Sequence, residues 1–246
     1  MNRAYEKLCN YTQQCPVTFG VGSIATVKDA MGMLGAKKLF VVYDQGVKMS
    51  GLAEKVTKSL DEQGVDYITY DDITAEPVED VVDKAYEVAK EAGCDGVLGL
   101  GGGSPMDVAK AVGVVAKFGG TIGDYEGVGK VPGPIDTLIA VPTTAGTGSE
   151  VTVAAVITDE ARNYKLSVLG PEISPTYAVL DPELIMTAPA SGDGEPVPQQ
   201  RRLYSKLAVG TQKRQADDCI RGEQSREGNG ADRRQHPQVR RSPQRR

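Results

Sequence analysis

The chain has 246 residues, 40% hydrophobic and 25% charged, with 33 acidic against 28 basic side chains and a formal net charge of −5. This supplies apolar residues for one sizeable buried core, and the acidic balance argues against nucleic-acid or anionic-membrane binding by the folded part. No apolar run approaches the roughly 18 residues that span a bilayer, Met1-Asn2-Arg3-Ala4-Tyr5-Glu6 has no signal-type apolar region, and Cys9, Cys15, Cys94 and Cys219 lack C-x-x-C spacing, so a cytoplasmic protein with reduced thiols and no membrane segment is expected.

In chain order, Leu39-Phe40-Val41-Val42-Tyr43 predicts a buried strand, and Leu52, Val56 and Leu60 mark one face of a helix. Tyr67-Ile68-Thr69-Tyr70 predicts a second strand. Val78, Val81, Val82, Ala85, Ala89 and Ala92 then follow helical spacing. A third strand is expected at Gly96-Val97-Leu98-Gly99-Leu100, a helix through Val108, Ala109, Val112 and Val115, and a fourth strand at Thr137-Leu138-Ile139-Ala140-Val141. Repeated βα order with right-handed crossovers predicts the α/β class, a Rossmann-like doubly wound parallel sheet. Val153-Ala154-Ala155-Val156-Ile157 and Tyr177-Ala178-Val179-Leu180 read as additional strands, a hairpin region flanking the cleft.

Two loops follow apolar runs, where open α/β sheets bind ligands. In Gly101-Gly102-Gly103-Ser104-Pro105-Met106-Asp107, three glycines remove every Cβ that would hold backbone N–H groups away from an anion. Ser104 is expected to cap the following helix, with Pro105 at its first position and Asp107 completing a capping box. Taken alone, the segment reads equally as a plain glycine-rich turn. In Pro142-Thr143-Thr144-Ala145-Gly146-Thr147-Gly148-Ser149-Glu150, the hydroxyls of Thr143 and Thr144 can bond phosphate or nicotinamide groups, and Gly146 and Gly148 allow sharp turns. A side-chain-capped turn is the alternative, and Ser149 and Glu150 receive no catalytic role. Asp44, at the end of the first strand, can accept bonds from ribose hydroxyls and repel the extra phosphate of NADP, or can serve as a turn residue or cap.

The loops GGGSPMDVAK and PTTAGTGSEVT together make residues 5–190 resemble the iron-containing, or group III, alcohol dehydrogenases. The resemblance implies an NAD-binding domain over 1–190 of the dehydroquinate synthase-like kind, followed in the family by a helical domain holding a divalent metal, iron or zinc. It implies hydride transfer between a small alcohol and NAD to give an aldehyde or ketone, and a homo-oligomer in the intact family. It places Asp44, Gly101, Gly102, Gly103, Ser104, Asp107, Thr143 and Thr144 at the cofactor, with Thr152, Ala154 and Lys165 around it or its cleft. Ala154 can offer only its backbone and is otherwise a packed strand residue. Lys165 is otherwise a surface lysine. A related glycerol dehydrogenase or dehydroquinate synthase-like enzyme is the nearest alternative.

Composition changes near Ala190. Residues 1–190 hold two arginines, Arg3 and Arg162, whereas 191–246 hold eleven, with 13 basic against 7 acidic side chains. Isolated apolar residues there bury too little surface to offset chain entropy, so a disordered basic tail is expected. A frameshifted coding sequence, a basic arm and a linker all give such a tail, and with the basic arm the chain would be a non-catalytic nucleotide-binding module. The family's metal is held by one Asp and three His, but this chain has one histidine, His236, among tail arginines and prolines. Asp193 lacks the flanking residues of the family's first ligand. The expectation is a truncated chain with no catalytic or metal residues of its own, the helical domain being absent, and with no alcohol turnover.

Overall fold

The computed structural model describes residues 15–144 and 146–185; the boundary at Ala190, the 191–246 tail, Asp193 and His236 lie outside them. In chain order the strands are β1 (Val17–Phe19), β2 (Lys38–Val42), β3 (Asp66–Tyr70), β4 (Gly96–Gly101), β5 (Gly127–Val128), β6 (Thr137–Pro142), β7 (Ala154–Asp159), β8 (Tyr164–Leu169) and β9 (Tyr177–Leu180). The helices are α1 (Val27–Leu34), α2 (Gln45–Met49), α3 (Leu52–Glu62), α4 (Glu79–Glu91), α5 (Gly103–Phe118) and α6 (Pro182–Ile185).

Period-two alternation divides the core between the two faces of the main sheet. On β2, Phe40 and Val42 point to the side of Val81, Val82 and Ala85 of α4 and Val108 and Val112 of α5. Their neighbours Leu39 and Val41 join Val27 of α1 and Val56 and Leu60 of α3 on the opposite side. Burial on both faces explains why β2, β4 and β6 read as unbroken apolar runs rather than alternating ones. The close approach of α5 needs Gly99, since a Cβ there would lie 3.0 Å from the Ala109 Cβ.

The main sheet is entirely parallel, in the order β1-β9-β6-β4-β2-β3. From β2 the chain moves outward to β3, then returns to place β4 on the other side of β2. The strand order therefore reverses between β2 and β4, which puts a ligand crevice at their carboxyl ends. The expected α/β doubly wound architecture is observed.

The later strands differ from expectation. β7 forms an antiparallel hairpin with β8, not with the 177–180 run, and β5 adds to β8 in parallel. The 177–180 segment, β9, enters the main sheet between β1 and β6. The reason is burial: Ala178, Val179 and Leu180 are all enclosed, which suits an inner parallel strand. In β8, the buried Leu166 and Val168 alternate with exposed Lys165 and half-buried Ser167 and Leu169, the pattern of a one-sided antiparallel strand.

Candidate cofactor site

Two ladder ends form the floor of the crevice. β4 and β6 pair through Gly101 and Pro142, and beyond them the Thr143 N–H donates to the Gly101 carbonyl at 3.0 Å. The glycine-rich and threonine-rich loops thus leave the sheet side by side. Gly101 has φ 141°, and a Cβ there would fall 2.8 Å from Pro105 Cγ and 3.2 Å from Val47 Cγ2, so only a bare backbone fits this turn.

Asp44, Gly102, Thr143 and Thr144 line one cleft of about 220 Å³, with Val47 and Ser50 of the segment after β2. Asp44 is half-buried and caps α2, accepting the Val47 N–H at 2.8 Å. A carboxylate has about four acceptor positions, so this cap leaves capacity for hydroxyl donors. Thr143 is buried and Thr144 exposed.

The beginning of α5 differs from the capping box expected. The helix starts at Gly103, its N-cap is Gly102, and no side chain caps it. Ser104 lies in the first turn and donates its hydroxyl to the Ala75 carbonyl at 2.7 Å, drawn away by a segment 29 residues earlier. Asp107 accepts the Val156 N–H at 3.1 Å instead of closing on the helix terminus. The backbone N–H groups of Gly103 and Ser104, at the start of a sixteen-residue helix with no acidic residue in its first turn, consequently have no side-chain cap, and such a helix end favours negative charge.

A second cavity of about 210 Å³ lies on the hairpin side, lined by Gly103, Ser104, Asp107, Val156, Thr158 and Lys165 among others. Lys165 pairs with Glu76 at 2.9 Å, both largely exposed. Thr152 and Ala154 are gathered around a different residue, Lys110, which the sequence reading missed. Lys110 is fully buried in α5 and donates to Thr152 O at 3.0 Å, Thr152 Oγ1 at 3.2 Å and Ala154 O at 2.7 Å. A signal was present: a lysine set in the apolar stripe of Val108, Ala109 and Val112, one turn after Asp107.

Burial governs the charges here. It pushes Lys110 down to about 8, against the attraction of Asp107, Glu150 and Cys15. Burial likewise raises Asp107 to about 6, opposed by Lys110 and the Val156 N–H. Glu150 is raised by burial, and the Cys15 thiol is pushed up to about 11 by burial and then by Glu150. Among the described residues no group of three or more His, Cys, Asp or Glu is placed to hold a metal ion, and no helix is long and apolar enough to cross a membrane.

A profile of the iron-containing alcohol dehydrogenases matches residues 16–182. The chain is 42% identical over 171 residues to an NAD-dependent methanol dehydrogenase of Bacillus methanolicus, covering 70% of this chain and 45% of that protein. It is 40% identical to a choline dehydrogenase of Bacillus subtilis, covering 70% and 44%. It thus spans less than half the length of these relatives. Among solved structures, sulfoacetaldehyde reductase of Bifidobacterium kashiwanohense in complex with NAD+ superposes with a TM-score of 0.68 at 33% identity, over 74% of this chain and 48% of that one. With the parallel sheet, the uncapped glycine loop and the adjoining threonine loop in place, the match over two thirds of its length makes this chain a member of the iron-containing alcohol dehydrogenase family.

Proposed function

We propose that the described residues bind NAD at the reversal of strand order and form the dinucleotide-binding part of an enzyme that moves a hydride between a small alcohol and NAD, giving an aldehyde or ketone. The observation that carries this reading is the meeting of Asp44, Gly102, Thr143 and Thr144, from three separate segments, around one cleft. The residues fit the cofactor: a backbone that admits no Cβ at Gly101, an uncapped helix terminus for the diphosphate, and a carboxylate for ribose hydroxyls. Gly103, Ser104, Asp107 and Lys165 border the flank of the same terminus, and Thr152 and Ala154 shape the segment beside it. When bound, the nicotinamide supplies the hydride acceptor or donor. Asp44 disfavours a ribose phosphate by like charge, so NAD is preferred to NADP.

The metal of the family, iron or zinc, does not fit the residues described. They gather no ligand cluster, and the whole chain has one histidine. The chain by itself is therefore read as a dinucleotide binder that does not turn over alcohol, with 1–190 as its NAD-binding domain and 191–246 as a basic tail.

Titration calorimetry of the 246-residue chain with NADH and NADPH tests the binding, and alcohol oxidation assays with added Fe2+ or Zn2+ test the turnover. Saturable NADH binding at least tenfold tighter than NADPH, without turnover, is expected; tenfold corresponds to about 1.4 kcal/mol. Absence of NADH binding would overturn the reading, and metal-dependent turnover would overturn the inactivity.

A further inference from the structure

The threonine-rich loop is held at both ends by the β4–α5 unit. At its start the Thr143 N–H bonds the Gly101 carbonyl. At its end Lys110 reaches Thr152 and Ala154, and one turn earlier Asp107 receives the Val156 N–H. Two residues of one helix face, Asp107 and Lys110, thus engage successive backbone groups of the segment that leads into β7. An ammonium has three N–H donors, and all three find oxygens on this segment. A side chain of equal length without donors would fill the same volume but leave those oxygens in a buried site without their partner.

We infer that Lys110 is a positioning residue of the dinucleotide cleft: by fixing the end of the threonine-rich loop on α5, it sets Thr143 and Thr144 opposite Gly102. Lys110 lies on the helix whose N-cap, Gly102, lines the cleft, and β4, which holds the start of the loop, runs directly into that helix, so a shift at one end of the loop is transmitted to the other through a span of about ten residues pinned at both ends to the β4–α5 unit. The inference rests on the NAD reading above. It explains why a charged group occupies the interior of the apolar stripe of α5, and it gives Thr152 and Ala154 an indirect part in binding.

The test compares the full chain with Lys110→Met. Hydrogen exchange without ligand is expected to run at least tenfold faster in peptides covering 146–156 of the variant, with β2 and β4 unchanged, and NADH binding is expected to be at least tenfold weaker. Unchanged exchange overturns the inference, and so does faster exchange with unchanged NADH affinity, which would make Lys110 structural only. If the parent chain itself fails to bind NADH, the functional reading falls and takes this inference with it; parent binding with an indifferent variant removes the inference alone.

A pH series on the parent chain needs no substitution and covers a variant that does not fold. The charged and titratable groups facing Lys110 are Asp107 from α5, Glu150 from the loop before β7 and Cys15 from the segment before β1. Asp107 titrates below the interval from pH 7 to 9.5 and Cys15 above it. Over that interval the ammonium loses a proton and one donor, so NADH affinity is expected to fall several-fold. Stability against global unfolding should move the opposite way, rising from about pH 8, because the unfolded chain keeps the lysine proton up to about 10.5. Affinity that stays flat, or that rises with stability, overturns the inference.

Discussion

Thr143 donates its backbone N–H to the carbonyl of Gly101 at 3.0 Å, extending the β4–β6 ladder one bond past the last paired residues. That bond makes two loops separated by some forty residues into one surface. Without it, the glycine turn and the threonines would be independent features of the chain, each with an ordinary structural explanation.

Gly101 is the residue with least freedom on that surface. A Gly101→Ala substitution combines a positive φ with a Cβ placed 2.8 Å from Pro105 Cγ, so a loss of about 2–4 kcal/mol is expected from strain and overpacking. Urea unfolding checks this. At Gly102, φ is −88° and the nearest atom to a new Cβ is Thr144 Oγ1 at 3.2 Å. Gly102→Ala should therefore fold with a loss of under about 1 kcal/mol while weakening NADH binding; equal NADH affinity would remove Gly102 from the cleft.

Asp44 serves the fold and the proposed ribose contact at once. Asp44→Ala should lose about 1 kcal/mol of stability with the α2 cap and also the preference for NADH. Asp44→Asn keeps an oxygen for the Val47 N–H, so it should retain most of the stability while narrowing the NADH to NADPH ratio. A ratio unaffected in both variants would leave Asp44 as a cap alone.

Asp107 makes stability depend on pH. Its carboxyl titrates at about 6 in the fold and near 3.8 when free of it. Between these values the native state holds a proton that the unfolded state has released, so stability falls as pH rises from about 4 to about 6 and then levels. Urea midpoints across this range should show the decline in the parent chain and its loss in Asp107→Asn, which still presents an acceptor to Val156. An identical slope in both would assign the pH dependence elsewhere.

Lys165 and Glu76 form an exposed pair at 2.9 Å, and such pairs add little to stability. Lys165→Ala should leave the unfolding midpoint unchanged within error. Its NADH affinity is then a clean readout: a fall places the lysine's charge at the cofactor, and no change leaves it as a surface ion pair.

Local sequence was sufficient for the succession of strands and helices, because parallel strands enclosed on both faces appear as apolar runs and their helices as three-to-four-residue spacing. The runs around Phe40, Leu98 and Ile139 and the helix of Leu52, Val56 and Leu60 were legible in this way, and the glycine-rich and threonine-rich loops stood out because each follows such a run. The chain by itself also determined that a bare backbone was available at 101–103. Strand order was decided by the tertiary structure: periodicity cannot say that β9 inserts between β1 and β6, or that β7 takes β8 as its partner. Hydrogen bonds between distant segments settled the rest. Ser104 resembled a cap until Ala75, 29 residues away, supplied its acceptor, and Lys110 resembled an anomaly in an apolar stripe until the fold brought Thr152 and Ala154 against it, 42 and 44 residues later. Partners so far apart leave no spacing in the sequence, since what joins them is the packing of a helix on a sheet.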